Sequence, residues 1–135
     1  MAELVEFELV TPARLLLSEQ VELVVIPGGE GDFGVLPGHA PLISTVRPGS
    51  VRIYDKDYKV TRSLFVSGGF AEVGAGRCTL LAEEAVEVSD IDRPQAEERL
   101  NAARERAAAA EADSDEGRQA AGELRTAEAM MAAIE

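Results

Sequence analysis

Cysteine and aromatic residues are scarce in this 135-residue sequence. Cys78 is the only cysteine, there is no tryptophan, and aromatic residues make up 4% of the chain. A single cysteine excludes an intramolecular disulfide and a cysteine-based structural zinc site, and it favours a reducing compartment. Because 46% of the residues are nevertheless hydrophobic, the core must be built from Val, Leu, Ile and Ala.

Positive charge is also scarce. Thirteen Lys and Arg residues stand against 25 Asp and Glu residues, which gives a formal net charge of −12. Nucleic acids and anionic lipid surfaces are bound through basic fields, so this charge argues against both as partners. No stretch approaches the ~20 apolar residues of a membrane span, and residues 1–6 lack the features of a signal peptide. We expect a soluble chain that meets a membrane only through its partners.

Residues 4–88 show the alternation of apolar and polar side chains that is typical of half-buried strands. Val5, Phe7 and Leu9 alternate with acids, and residues 19–26 form one longer run. About ten short strands in this length leave no room for crossover helices, which predicts hairpin connections and antiparallel pairing. The expected fold of residues 1–88 is all-β, a ten-stranded antiparallel β-sandwich or flattened barrel.

Near Ser89 the period changes to that of a helix. Ser89 or Asp92 can cap a first helix, with Pro94 in its first turn. Two apolar stripes with the spacing of a helix seam follow, separated by a polar break at residues 112–116. The stripes consist of Ala96, Leu100, Ala103, Ala107 and Ala110, then of Ala120, Leu124, Ala127, Met131 and Ile134. Because the break is short, residues 89–135 are predicted to form an antiparallel α-helical hairpin.

The packing of the predicted hairpin should be only marginally stable. Its seam is mostly alanine, which removes little apolar surface from water at roughly 25 cal/mol per Å². Two interpretations stay open. The hairpin is either a permanently docked tail, or a segment that undocks and extends, since weakly buried elements are the ones that move.

Residues 29–34 (GEGDFG) fit the dinucleotide-binding pattern G-x-G-x-x-G and follow a strand. That pattern holds a pyrophosphate only when a helix begins directly after it. Residues 35–38 (VLPG) cannot begin a helix, and Glu30 and Asp32 would place carboxylates against the phosphates. The glycines are instead predicted to serve tight turns between strands.

No set of residues favours catalysis or a metal centre. His39 is the only histidine, and Cys78 is thirty-nine positions away with no obvious acid to orient either of them. Glu83 and Glu84 are adjacent on a predicted strand, so they point to opposite faces and cannot act as a carboxylate pair. We expect no catalytic residue, no metal ligand and no cofactor.

Four stretches occur in an order and spacing that resemble a known family. They are residues 26–43 (IPGGEGDFGVLPGHAPLI), 47–49 (RPG), 66–73 (VSGGFAEV) and 80–83 (LLAE). The core pattern G-x-x-G-x-x-P-G-H-A-P, at residues 31–41, is highly specific. On these motifs the chain resembles the epsilon subunits of F-type ATP synthases from about residue 4 to residue 92, and the tail matches in length and type.

The resemblance implies a non-catalytic rotor subunit of the central stalk, which couples proton flow through the c ring to ATP synthesis. The sandwich of such a subunit packs against the gamma subunit and rests on the c ring. Its hairpin transiently contacts the alpha and beta subunits, where it can inhibit ATP hydrolysis. The implied location is peripheral, on the cytoplasmic face of a bacterial inner membrane as part of the complex.

The resemblance also implies that two segments of the sandwich face the polar loops of the c ring. Their residues are Glu30, Gly31, Asp32, Phe33, His39, Ala40 and Pro41. Asp32 is the candidate partner for a basic residue of the ring, and such a contact would set orientation more than affinity. The alternative for Asp32 is an ordinary turn aspartate, and for His39 a structural side chain.

Some members of the family bind ATP at the foot of the hairpin through an Ile-Asp-x-x-Arg-Ala motif. The matching residues 91–96 read IDRPQA, so Gln95 stands where the motif has arginine and cannot supply the charge that phosphates require. Asp92, Arg93 and Arg99 remain the candidates for a nucleotide site. A small-molecule module that binds nucleotide and switches through its hairpin is therefore the alternative function.

The candidate contacts of the hairpin with the catalytic hexamer are arginines. They are Arg99, Arg104, Arg106, Arg118 and Arg125. From residue 92 onward, however, acids outnumber bases. Inhibition in the family relies partly on a basic tail that meets an acidic stretch of the beta subunit, so repulsion should weaken it. We expect a feeble or absent inhibitory role.

Overall fold

The computed structural model describes residues 3–135. Ten strands are followed by a 3-10 turn at Val88–Asp90 and by two helices, α1 (Arg93–Ala109) and α2 (Asp115–Ala133). The strands are β1 (Val5–Thr11), β2 (Arg14–Val21), β3 (Leu23–Gly28), β4 (Gly31–Val35), β5 (Leu42–Val46), β6 (Gly49–Tyr54), β7 (Val60–Val66), β8 (Gly69–Gly74), β9 (Arg77–Ala82) and β10 (Ala85–Glu87). Neither helix in this range has a stretch long and apolar enough to cross a membrane.

All ten strands form one curled sheet, so the predicted all-β fold is confirmed. The strand order is β10-β7-β6-β3-β5-β8-β9-β1-β2, with β4 paired to β3. The expectation of purely antiparallel pairing is wrong at one place, because β1 runs parallel to β9 and sets Phe7 beside Cys78. Parallel neighbours need a long connection, and here the intervening strands β2–β8 supply it without a crossover helix.

The strand boundaries differ from the prediction at β2. Residues 19–26 are not one strand, because β2 ends at Val21 and β3 begins at Leu23. The start of β2 at Arg14 was missed, since its three consecutive leucines do not alternate with polar residues. A register shift opposite Leu9 and Val10 absorbs the extra residue, as β-bulges do.

One residue draws the two ends of the sheet together. The guanidinium of Arg62 on β7 lies 3.5 Å from a carboxylate oxygen of Glu19 on β2, and it also donates a hydrogen bond to Glu87 on β10. Since β2 and β10 are the outermost strands, these ion pairs join the two edges of the curled sheet. All three side chains are about one third exposed, so the pairs add less to stability than the core does.

The inner face of the sheet forms the main core. Alternate residues of every long strand point into it, and apart from Phe7 they are aliphatic or small, as expected from the composition. Phe7, Leu9, Ile26 and Leu80 are fully buried. Burying one such side chain contributes about 1.5–3 kcal/mol, so this aliphatic interior is the main source of stability of the sandwich.

The turn of the helical hairpin is built by Ser114 and Gly117. The Ser114 hydroxyl accepts a hydrogen bond from the Gly117 backbone N–H at 2.9 Å and donates to the Glu111 carbonyl at 2.7 Å, which caps α2. Gly117 lets the end of α1 approach closely, since a Cβ there would lie 1.8 Å from the Glu111 carbonyl oxygen. The turn occupies residues 110–114, so it overlaps the polar break predicted at residues 112–116 but ends before Asp115, where α2 begins. The predicted hairpin is confirmed.

The hairpin docks on the outer face of β10, β7 and β6. Phe65 of β7 is fully buried between Ala96 of α1 and Met130 of α2. Partly buried apolar residues surround them, namely Val86, Val88, Ile91, Ala129, Met131, Ala133 and Ile134. The sequence indicated one buried stripe on α2, but Met130 lies outside that stripe and gives α2 a second buried face towards the sandwich.

We predict that Gly117→Ala destabilises the hairpin. Alanine normally favours a helix over glycine, but here the new methyl group collides with backbone, and we expect α2 to lose about 1–3 kcal/mol in its opening free energy. Gly122→Ala is the matched control, because its methyl would meet only the Arg125 guanidinium at 3.7 Å, and it should stabilise α2 by about 0.5–1 kcal/mol. Amide hydrogen exchange of α2 measures both values. Equal stabilisation by both substitutions would contradict the tight turn.

Candidate functional site

A tight turn joins β3 and β4 and places the predicted ring-facing residues Glu30 and Asp32 at one rim of the sheet. Gly28 pairs with Gly31 across the turn, and Gly31 has a φ of 147°, which favours glycine. Gly34, the last glycine of the G-x-G-x-x-G pattern, lies inside β4. The pattern therefore belongs to a β-hairpin, as predicted, and not to a strand–helix junction that holds a pyrophosphate.

Asp32 is held by two arginines of the same chain. Its Oδ1 atom lies 2.5 Å from Arg47 and its Oδ2 atom 3.1 Å from Arg52. Arg47 also donates to the Gly28 carbonyl at 2.6 Å, which ties it to the turn. The Asp32 side chain is 45% exposed. A basic side chain of a partner can reach the Asp32 carboxylate, but it must compete with Arg47 and Arg52.

Both arginines were missed as site residues in the sequence. Arg47 follows β5 and Arg52 lies on β6, and both strands pair with β3, which brings them beside the turn. The sequence shows the arginines but not the pairing. Glu30 has no ion pair among the side chains that the structure describes, so it carries the uncompensated charge of the turn.

The predicted ring-facing residues form two groups and not one patch. Gly31, Asp32 and Phe33 lie at the start of β4, whereas His39, Ala40 and Pro41 follow its other end. A strand of this length spans roughly 16 Å, so the two groups are separated by the length of β4. Phe33 is half-buried against the core, and His39 Nδ1 lies 2.7 Å from the Ala40 carbonyl beside an open cavity of about 640 Å³.

An uncovered apolar row crosses the outer face of the other half of the sheet. Phe70, Leu81 and Leu15 are 58%, 54% and 54% exposed, and neighbouring Ile43 is 73% exposed. Cross-strand pairing aligns Phe70 with Leu81, Leu81 with Val10, and Val10 with Leu15. We call Phe70, Leu81, Val10, Leu15 and Ile43 the apolar row. Across the four strands β8, β9, β1 and β2 the aligned side chains extend over roughly 14 Å.

The apolar row was not predicted from the sequence, although a signal for it exists. Leu42-Ile43 and Leu80-Leu81 are adjacent apolar pairs on strands. Successive side chains of a strand point to opposite faces, so one member of each pair must face outward. Which face is inner, and whether the outer one is covered, depends on the tertiary structure.

Two of the three candidate nucleotide residues, Asp92 and Arg99, line a cavity of about 330 Å³ at the foot of the hairpin. Both Nη atoms of Arg99 donate to the two carboxylate oxygens of Glu84, each at 2.9 Å, and this hydrogen bonding raises the pKa of Arg99. Asp90 and Asp92 line the same cavity. Arg93 donates instead to the Ile134 carbonyl at 3.0 Å. With three carboxylates around one paired arginine, the cavity is a poor site for phosphates.

Three of the five hairpin arginines are engaged within the chain. Arg99 pairs with Glu84, Arg106 with Glu123 across the two helices, and Arg118 with Asp115. Arg104 and Arg125 are exposed and form no ion pair within residues 3–135. These two therefore carry the positive charge that the hairpin presents to a partner.

The structure offers no constellation for catalysis in the part of the chain it describes. Cys78 lies in the sheet core, and burial raises the pKa of its thiol to about 11, so it is protonated and inaccessible as a nucleophile. No group of three His, Cys, Asp or Glu side chains within residues 3–135 is arranged to hold a metal ion. The features that stand out are surfaces: the rim turn at residues 28–33, the apolar row and the hairpin.

Known proteins resemble the chain along its whole length. A family model described as ATP synthase, Delta/Epsilon chain, beta-sandwich domain, matches residues 4–88. The ATP synthase epsilon chain of Paramagnetospirillum magneticum is 53% identical over 135 residues and that of Rhodospirillum rubrum 50% identical over 133 residues. The alignments cover 99% of both chains in the first case and 98% of both in the second.

Solved structures share the fold. A chain of the Euglena gracilis mitochondrial ATP synthase, from its OSCP/F1/c-ring structure, superposes with a TM-score of 0.83 at 27% identity, over 100% of this chain and 83% of that one. A chain of the Tetrahymena thermophila mitochondrial ATP synthase central stalk and c ring gives a TM-score of 0.69 at 16% identity, over 97% and 96%, which supports the fold alone. From its sequence matches over both the sandwich and the hairpin, the chain belongs to the family of ATP synthase epsilon chains.

Proposed function

We propose that the chain is a non-catalytic rotor subunit of the central stalk of an F-type ATP synthase, which couples proton flow through the c ring to ATP synthesis. The observation that carries the proposal is the division of the outer sheet face. The chain's own hairpin covers one half, while the apolar row leaves the other half open to a partner. A rotor subunit transmits torque through such surfaces and needs no nucleophile or cofactor.

The gamma subunit is the proposed partner of the apolar row. Large exposed apolar side chains in a contiguous group mark protein interaction sites. Phe70 also lines a cleft of about 650 Å³ between the sandwich and α2, together with Thr45, Gln119 and Glu123. A subunit bound to the apolar row would therefore also contact α2. Its binding could then depend on the position of the hairpin.

The c ring is the proposed partner of the rim turn. Glu30 offers an uncompensated acid, and Asp32 a second one that must first release an arginine. The His39–Pro41 group lies at the other end of β4, so only one of the two groups can stand at the centre of the contact. We place the rim turn there because it holds the acids that suit a basic ring.

The hairpin is proposed to contact the alpha and beta subunits only transiently and to inhibit hydrolysis weakly. Residues 92–135 contain eleven acids and six arginines, five more acids than bases. Arg93, Arg104 and Arg125 are exposed and form no ion pair within residues 3–135, and Arg93 is tied to the Ile134 carbonyl, which leaves Arg104 and Arg125 for a partner. As part of the complex, the chain would lie peripherally on the cytoplasmic face of a bacterial inner membrane and touch the membrane only through its partners.

Co-purification tests the proposed function. A tagged chain isolated from native membranes should carry the gamma subunit and the c ring with it. Phe70→Ser and Leu81→Ser should each weaken the gamma contact about tenfold or more, because each removes the burial of a large apolar side chain. Val60→Ser is the control, since Val60 is also exposed but lies on β7, outside the row.

Recovery of neither subunit with the unaltered chain would overturn the proposed function. Equal losses with the Val60 variant would overturn the assignment of the row to gamma. The melting temperature of each isolated variant should stay within a few degrees of the unaltered chain, since these side chains are exposed.

Calorimetric titration with ATP tests the alternative, a nucleotide-binding module. We expect no saturable binding below about 1 mM to the full chain, because three carboxylates and a paired arginine line the cavity at the hairpin foot. Glu84→Gln releases Arg99 and removes one of those charges, so it should strengthen any binding. Sub-millimolar affinity of the unaltered chain would favour the alternative.

Deleting residues 91–135 tests the regulatory role. In the reconstituted complex we expect the rate of ATP hydrolysis to rise by less than about twofold. Like charges repel, so the acidic hairpin should bind an acidic surface of the beta subunit only weakly. The deletion also uncovers Phe65, so a second variant, Arg104→Gln with Arg125→Gln, removes the free charges without exposing the core. A large rise with either variant would contradict weak inhibition.

A further inference from the structure

The rim turn and the end of α2 meet at one cavity. Asp32 and its two arginines line one side of this cavity of about 330 Å³, and Ala132 and Ala133 of the last turn of α2 line the other. Arg52 reaches it from the outer face of β6, opposite Ser63 on β7. A charge cluster of the sandwich rim therefore lies beside the docked end of the hairpin.

The end of α2 needs positive charge. The last turn of a helix carries the negative end of the helix dipole, yet α2 has no basic residue there. The Met131 and Ala132 carbonyls already accept backbone hydrogen bonds from Ile134 and Glu135 at 3.3 and 3.4 Å, so the dipole is mainly what a cation would offset. Arg93 donates to the Ile134 carbonyl and satisfies part of this need. Arg52 and Arg47 are the other cations beside this end, and Asp32 pairs with both of them, which offsets one of their two positive charges.

We propose that Asp32 and the α2 C-terminus compete for Arg52 and Arg47, so that a basic partner on the rim turn tightens the docking of the hairpin. This coupling rests on the proposed function in one respect only, namely that the c ring supplies the base. A basic side chain that draws Asp32 away frees the arginines to face the negative end of the α2 dipole, at Ala132 and Ala133. By reciprocity, a docked hairpin makes Asp32 easier to engage.

The coupling has a definite sign and a modest size. Charges at a helix terminus and exposed ion pairs shift equilibria by a few tenths to one kcal/mol, which corresponds to about two- to fivefold in a docking constant. Salt screens such interactions, so the effect should shrink as ionic strength rises. The coupling would bias the hairpin towards its docked state in assembled complexes without locking it there.

A double-mutant cycle in the isolated full chain tests the proposal. Spin labels on Lys56→Cys, in the β6–β7 turn, and Glu128→Cys, on the exposed face of α2, report docked and undocked populations as distance distributions. Cys78 stays unlabelled because it is buried. Asp32→Asn imitates the loss of the carboxylate charge and should raise the docking constant about two- to fivefold. Arg52→Gln should lower it and should remove most of the effect of Asp32→Asn.

The cycle distinguishes an effect of Asp32 that acts through the arginines from a direct effect of its charge on the end of α2. If Asp32→Asn strengthens docking equally in the unaltered chain and in a variant with both Arg47→Gln and Arg52→Gln, the carboxylate acts directly on the helix end and the competition is overturned. No effect of Asp32→Asn at low salt overturns the coupling altogether. Arg77→Gln is the matched control, because it breaks an exposed ion pair with Glu6 on another part of the sheet and should leave docking unchanged.

If only the docked distance is visible, amide hydrogen exchange of α2 in the same variants measures the same opening equilibrium. The experiment needs no other subunit, so its failure is distinct from a failure of the proposed function, which co-purification tests.

Discussion

The burial of the outer face of a single curled sheet is the constraint on which the rest of this structure depends. Each strand has two faces, and the curl fills only the inner one, with side chains such as Phe7 and Ile26. Outward apolar residues must be covered by something else. Over β10, β7 and β6 the chain covers Phe65 with its own hairpin, whereas over the other half Phe70 and Leu81 remain open. The covered half gives the hairpin its docking surface. The open half is a surface available to a neighbouring subunit.

Ion pairs within the chain reshape the surface on which partners act. Asp32 and Arg99, both natural candidates for external contacts, are each held by internal partners at 2.5–3.1 Å. Such exposed pairs contribute little to stability. Their effect is to weaken external binding, because a ligand or subunit must first displace an internal partner from Asp32 or Arg99. Glu30, Arg104 and Arg125 form no ion pair within residues 3–135, so they present their charges directly.

Much of the fold could be predicted because its signals are local. Alternation in β1 and β9, the turn glycines and the helix stripes with Ser114 at their break all depend on neighbours in sequence. The failures have two causes, which are long-range pairing and a local break in alternation. The parallel contact of β1 with β9 joins residues some seventy positions apart, as with Phe7 and Cys78, and no local pattern reports it. The run of leucines in β2 was missed because a bulge hides its alternation.

The sequence alone determined the class of the fold, its division near Ser89, and the family, since composition, periodicity and an ordered set of glycine and proline motifs are properties of the chain read end to end. Only the tertiary structure decided which residues can act together. It separated Asp32 from His39 along β4, joined Asp32 to Arg47 and Arg52, placed the end of α2 beside them, and left the apolar row uncovered. The physical reason is that charge pairing and solvent exposure depend on distances in space, and curling the sheet brings together residues that the sequence keeps far apart.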